Sequence, residues 1–329
     1  MKRARGQRKI KTPRLQLRHL GTEKANSAST GLDQKSALEI VRIINREDAR
    51  VAASVKRTLP QIAKAIDLIA SALAAGGRLI YVGTGTSGRI GALDAVECPP
   101  TFDFDPRRIQ FIIAGGSKAL ASAVEADEDS AELGRRAMLR KKPARKDVVV
   151  GIAASGRTPF TVAAIDCARA HGAETVAIVC NSQTPLAKAA HLAIVANVGP
   201  EVVAGSTRMK AGTAQKMILN MLSTGAMVRL GYVYGNLMVN VLPRNRKLVD
   251  RGLGILEKAA RLDRAAARKM LQSAGGRVSV AMVMAKAGVK RGPAIAALRK
   301  SEGRVRQAIL FAEPAAKRGG TGVRAPKLA

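Results

Sequence analysis

Two short loops carry most of the side chains in this sequence that could act on a small anionic molecule. The first is Gly83-Thr84-Gly85-Thr86-Ser87-Gly88-Arg89, which fits G-x-G-x-x-G behind an apolar run and ahead of a helical one. A dinucleotide site of that kind also needs an acid after the second strand, and Ala114-Gly115-Gly116 stands there instead. The lysine of a P-loop is missing as well. What remains is a set of glycines and hydroxyls (Thr84, Thr86, Ser87) at a helix N-terminus, where unpaired backbone N–H groups suit a single phosphate. The second loop, Ala154-Ser155-Gly156-Arg157-Thr158-Pro159, has the same chemistry, with Pro159 suited to a first helical turn. Ser155 and Thr158 could equally be plain helix caps. Two such loops on one sheet favour a phosphorylated ligand.

Carboxylates are candidates for proton transfer. Glu97 closes the stretch Leu93-Asp94-Ala95-Val96-Glu97, and Glu125, Asp127, Glu128 and Asp129 form a cluster expected on the next helix. Two carboxylates facing one sugar phosphate could divide general-acid and general-base work. Taken singly, Asp94 and Glu97 also read as helix-surface charges and the 125–129 cluster as a solvated face. The three histidines, His19, His171 and His191, have no metal-ligand spacing, so no metal site and no histidine triad is expected.

These groups need elements to hold them. Apolar residues at helical spacing run from Leu32 to about Ala75, with Pro60 near a helix start. Short buried strands are expected at 78–82, 108–114, 147–153, 175–179 and 192–196, separated by helices over about 118–140 and 159–171. A long helix is expected over roughly 204–229, and short helices broken at Gly275-Gly276, Gly288 and Gly303 follow from about 262 to 309. The alternation specifies an α/β fold: a flavodoxin-like parallel sheet flanked by helices, with a helical N-terminal segment and a small helical C-terminal domain. The boundaries are a basic, disordered tail at 1–21, the sheet domain with its N-terminal helices at 22–240, the helical domain at 241–312 and a flexible basic tail at 313–329.

Composition narrows the classes further. The chain has 329 residues, 47% hydrophobic and 24% charged, which excludes wholesale disorder. No apolar run is long enough to span a membrane. Three cysteines without a C-x-x-C pair argue against a disulfide framework and fit a reducing, cytoplasmic setting. The net charge of +32 is unevenly spread: residues 1–18 hold eight bases and no acid, and residues 244–329 hold 21 bases against 5 acids. Such charge attracts polyanions. With no Trp and 2% aromatic residues there is little with which to stack bases, so nucleic-acid binding beyond weak attraction of the basic ends is not expected.

Four blocks carry a resemblance. They are GTGTSGRIGALDAVECPPTF from Gly83, GIAASGRTPF from Gly151, GPEVVAGSTRMKAGTAQKMILNMLSTGAM from Gly199 and GNLMVNV from Gly235. Together, from about Thr22-Glu23 to the C-terminal helices, the chain resembles the N-acetylmuramic acid 6-phosphate etherases, enzymes with a single sugar-isomerase (SIS) domain. The resemblance implies a carbon–oxygen lyase that cleaves the D-lactyl ether of N-acetylmuramate 6-phosphate in cell-wall recycling and amino-sugar catabolism. It implies no cofactor, a homodimer with the site near the interface, Glu97 as proton donor and Glu128 as the second essential carboxylate. The phosphate-binding positions it implies are Thr86, Ser87, Ser155, Gly156 and Thr158. The departures are Val96 in place of a usual serine, Asp127 beside Glu128, and Asn240 where an acid is common. The same relationship includes a regulatory protein that senses fructose phosphates with two SIS domains, and this chain has room for one.

Overall fold

A computed structural model describes residues 19–124, 126–241 and 245–313. Residues 1–18, Glu125, 242–244 and the basic end from 314 onward lie outside the described residues, and with them most of both expected tails.

The helical start of the chain resolves into α1 (Ala37–Lys56) and α2 (Leu59–Ala74). A capping box opens α1, with Ser36 and Glu39 satisfying each other's backbone N–H groups, and Pro60 sits in the first turn of α2. The alternating part is β1 (Leu79–Gly83), α3 (Gly85–Phe102), β2 (Ile109–Ile113), α4 (Ala131–Arg140), β3 (Val148–Ile152), α5 (Pro159–Ala170), β4 (Glu174–Val179), α6 (Pro185–Ala189), β5 (Leu192–Val195) and α7 (Lys210–Arg229). All strand pairs are parallel, in the order β2-β1-β3-β4-β5.

Successive strand residues feed opposite layers, which explains why the strands read as unbroken apolar runs. Val148, Val150 and Ile152 join α1, α2, α3 and α7 in one core, while Val149 joins α4, α5 and α6 in the other. Beyond the sheet, α8 (Arg246–Ala260), α9 (Arg264–Ser273), α10 (Val278–Ala287), α11 (Arg291–Lys300) and α12 (Val305–Ala312) enclose a third core. The breaks between the last four fall at the expected glycines: Gly275, Gly276, Gly288 and Gly303 all have positive φ. No helix among the described residues is long and apolar enough to cross a membrane. The three cysteines are free and buried, and burial pushes the Cys98 and Cys180 thiols up to about 12.

Two helices start later than periodicity suggests. Residues 116–120 form a 3-10 turn, and α4 begins only at Ala131, where the Ser130 hydroxyl accepts the Leu133 N–H. The acidic cluster, as far as it is described, therefore lies in the turn before α4 rather than on a helix. The start of α7 moves from about 204 to Lys210 because a distant carboxylate caps it: buried Glu201 accepts the N–H groups of Lys210 and Ala211 at 3.0 and 2.9 Å.

Candidate active site

The strand order reverses between β1 and β3, which leave the sheet side by side with connections to opposite edges. In open parallel sheets that is where ligands bind, beyond the carboxyl ends of the strands. Both glycine- and hydroxyl-rich loops emerge there, and between them opens a cleft of about 310 Å³.

The first wall is the N-terminus of α3. Gly88 lets the helix lie close on the sheet: a Cβ there would stand 2.8 Å from the Gly83 carbonyl oxygen and 2.6 Å from the Ile113 side chain. Thr84 occupies the N-cap position without capping. Its hydroxyl instead donates to Glu128 Oε2 at 2.9 Å. Thr86 and Ser87 line the cleft, but the single Ser87 hydroxyl proton is engaged by Gln215 Oε1 at 2.9 Å.

The second wall is the loop before α5. Gly156 has a φ of 65°, and an added Cβ would lie 2.3 Å from Thr184 Oγ1, so both conformation and space call for glycine. Ser155 accepts the Arg157 N–H at 3.2 Å, a local turn rather than a helix cap. Thr158 makes no capping hydrogen bond, which leaves its hydroxyl available on the cleft wall. Arg157 joins this wall without any motif to mark it. It lines the cleft, and its buried Nε has no hydrogen-bond partner among the described residues. An orphaned guanidinium N–H beside two anion-suited loops is placed to serve a phosphate.

Glu128 spans the two walls. Its side chain takes the Thr84 hydroxyl from the first loop, and its carbonyl accepts the Phe160 N–H of α5 at 3.1 Å. Asp129 also lines the cleft. Asp127 does not: it lines a neighbouring cavity with Gly115, Gly116 and Ser117. Asn240 donates to the Tyr232 carbonyl at 3.3 Å, away from the site.

Glu97 is not brought to this cleft. It follows Gly85 by twelve residues (97 − 85), roughly 18 Å along a helix rising 1.5 Å per residue. There it is exposed, on the same helical face as Leu93 and Val96, which are 50% and 55% exposed. Its neighbour Asp94, read above as a surface charge, is buried. It accepts hydrogen bonds from Tyr81, Asn220 and Ser223, and burial raises its carboxyl above the usual range.

A third wall was not foreseen. The 3-10 turn at 21–23 folds back over the strand ends, so that Glu23 and Thr207 complete the cleft. Thr22 is fully buried, and one Asn181 amide group donates to both Thr22 Oγ1, at 3.1 Å, and the Ala154 carbonyl, at 3.0 Å. Asn26 donates to Glu47 and to the Pro200 carbonyl. Burial alone would raise Glu47, but hydrogen bonds from Lys210, Asn26 and Arg50 outweigh it and hold the carboxyl at about 2. Lys210 Nζ, itself buried, reaches Glu47 at 2.5 Å.

The chain matches the description "Glucokinase regulatory protein N-terminal SIS domain" over residues 61–169 and "SIS domain" over 134–225. Among solved structures it is similar to a phosphoheptose isomerase from Francisella tularensis, 16% identical with a TM-score of 0.46, over 58% of this chain and 98% of that one. Curated relatives are much nearer. N-acetylmuramic acid 6-phosphate etherase 1 of Enterococcus faecalis is 50% identical over 84% of this chain and 92% of its own. The N-acetylmuramic acid 6-phosphate etherases of Aeromonas hydrophila and Symbiobacterium thermophilum are 53% and 54% identical, over 82% and 84% of this chain and 90% and 91% of theirs. At half identity over more than four fifths of this chain and about nine tenths of each relative, this protein belongs to the N-acetylmuramic acid 6-phosphate etherase family.

Proposed function

We propose that the protein is a carbon–oxygen lyase that converts N-acetylmuramate 6-phosphate to N-acetylglucosamine 6-phosphate and D-lactate in the cytoplasm. The observation that carries this reading is Glu128, tied between two anion-suited loops at the switch point of the sheet. The phosphate lies against Thr86, Ser155, Thr158 and Arg157, with Ser87 joining when its hydroxyl or Gln215 turns. The open-chain sugar carries an aldehyde at C1 that acidifies the C2 proton. A carboxylate removes that proton, the lactyl oxygen leaves C3 as it is protonated, and water adds across the resulting double bond. Glu128 is the base in this scheme and Glu97 the acid.

With Glu97 as the acid, its position away from the cleft calls for a second copy to complete the site. Leu93, Val96 and Glu97 share one exposed helical face, and an apolar groove between α2 and α7 is lined by Leu59, Ile62, Ile66 and Met217. A homodimer closed over these surfaces covers the apolar area and carries Glu97 of each copy toward the other's cleft. The match to the regulatory-protein description favours one other reading, a sensor that binds a sugar phosphate without turning it over. Incubation with N-acetylmuramate 6-phosphate and assay of free D-lactate decides between them. Release at catalytic rates supports the lyase; tight binding with no lactate supports the sensor.

A further inference from the structure

The cleft has an electrostatic oddity. The substrate proposed above carries a phosphate and a lactyl carboxylate, and the chain has 56 Lys and Arg against 24 Asp and Glu. Yet the cleft is lined by three carboxylates, Glu23, Glu128 and Asp129, and one cation, Arg157. Anionic side chains beside an anionic ligand are unfavourable unless they face protons that they accept or donors that they bind. Glu128 is accounted for by the Thr84 hydroxyl and its proposed role. Glu23 and Asp129 are not: among the described residues neither carboxylate has a hydrogen bond or ion pair, and Glu23 alone is brought in from a distant part of the chain.

Nor is Glu23 there by accident of a loose end. Its own N–H donates to the Leu20 carbonyl at 3.1 Å, and Thr22 beside it is fully buried. The Asn181 amide that holds Thr22 also holds Ala154, the residue before Ser155, so Glu23 and the phosphate loop hang from one group. Across from it Gly205, with a φ of 77°, keeps the space open: a Cβ there would stand 3.2 Å from Glu23 Oε2. The backbone of Glu23 is thus held in place, and its half-buried side chain lines the cleft without a protein donor among the described residues, which is the arrangement of a ligand-binding acceptor.

Resting on the etherase reading, we infer that Glu23 is a third substrate-contacting carboxylate, accepting a hydrogen bond from a neutral donor on the sugar and so positioning C2 and C3 against Glu128. The donor is a hydroxyl or the acetamido N–H. It takes no part in proton transfer, so its contribution is to orientation and to the choice of sugar.

The test compares Glu23→Ala and Glu23→Gln with the wild type, by lactate release and by binding of N-acetylglucosamine 6-phosphate, glucose 6-phosphate and inorganic phosphate. Losing a hydrogen bond to a charged acceptor is expected to lower kcat/KM of Glu23→Ala about 10- to 100-fold, and Glu23→Gln, which keeps an acceptor oxygen, several-fold. Inorganic phosphate should inhibit all three proteins alike. Weaker binding of N-acetylglucosamine 6-phosphate alone assigns the contact to the acetamido N–H; weaker binding of both sugars assigns it to a hydroxyl. Unchanged binding and turnover in both variants overturns the inference. So does an equal loss for inorganic phosphate, which would mean that Glu23 merely shapes the phosphate loop. If the wild type releases no lactate, it is the etherase reading that fails, while the sugar-binding arms still report on Glu23.

Discussion

At its N-terminus α3 is finished by its own chain, whereas further along the same helix Leu93, Val96 and Glu97 are left in solvent. The first end has Gly88 pressed on the sheet, Thr84 bonded to Glu128 and Ser87 bonded to Gln215. The later stretch has an acid and two large apolar side chains that no described residue covers. On the buried face of that same stretch Asp94 locks the helix to Tyr81, Asn220 and Ser223, which holds the exposed face in place. A helix anchored in its middle can serve two sites, its own at one end and a neighbour's at the other.

The sharpest way to break this contrast is to disable each end in a different copy. Glu97→Gln, which keeps volume but cannot release a proton, should lower lactate release by about 10²–10⁴, and Glu128→Gln should do comparable damage. If Glu97 acts across the dimer, mixing the two inactive variants and letting subunits exchange should restore roughly a quarter of wild-type activity. Half of the dimers are then mixed, each with one intact site. No recovery despite demonstrated exchange would place Glu97 and Glu128 in the same copy's site. Deuterium incorporation at C2 without lactate release in Glu97→Gln would further show that the acid alone is lost.

The cleft end should respond differently. With the phosphate placed as proposed, Ser155→Ala or Thr158→Ala should remove a hydrogen bond to it worth about 1.5–3 kcal/mol, most of it as a raised KM. Steady-state kinetics in which KM holds and kcat collapses would remove the phosphate from this wall.

A smaller effect is expected from Val96→Asp, which puts a charge on the apolar face without touching the cleft. Sedimentation should show a dimer weakened by roughly tenfold or more, with lactate release regained at high protein concentration. A dimer that ignores this change is built on another surface. Smallest of all should be removal of residues 1–18, which lie outside the resemblance: activity is expected to stay within about twofold. A large loss in a truncated protein that still folds would tie the basic end to one of the two sites.

What the sequence disclosed, and what it hid, follows from the range of the forces involved. Strands β1, β3 and β4 are buried on both faces, so their apolar runs announce themselves. The two glycine loops are equally visible, because positive φ and close backbone approach demand particular residues. The start of α7 lies six residues later than periodicity suggests because its cap, Glu201, sits nine residues upstream on the loop after β5, outside the N-cap position that a local pattern tests. The acidic cluster was put on a helix because the periodicity of α4 runs back past Ser130, a cap that could have been noticed. Glu23 carried no local signal, since its place depends on Thr22 meeting Asn181, 159 positions away. Arg157 was in plain view within a quoted loop, but only burial of Nε without a partner marks it.

That same Asn181 amide has a consequence for how the molecule is made. The turn holding Glu23 leaves the ribosome before any strand of the sheet, yet its anchors are Asn181, Pro200 and, through Glu47, Lys210. Closing such long loops is entropically costly until the sheet exists to receive them, so the turn must wait through the synthesis of β1 to β5 and dock last. A nascent chain halted before Asn181 would carry both glycine loops but lack the anchor of the turn that brings Glu23 to the cleft.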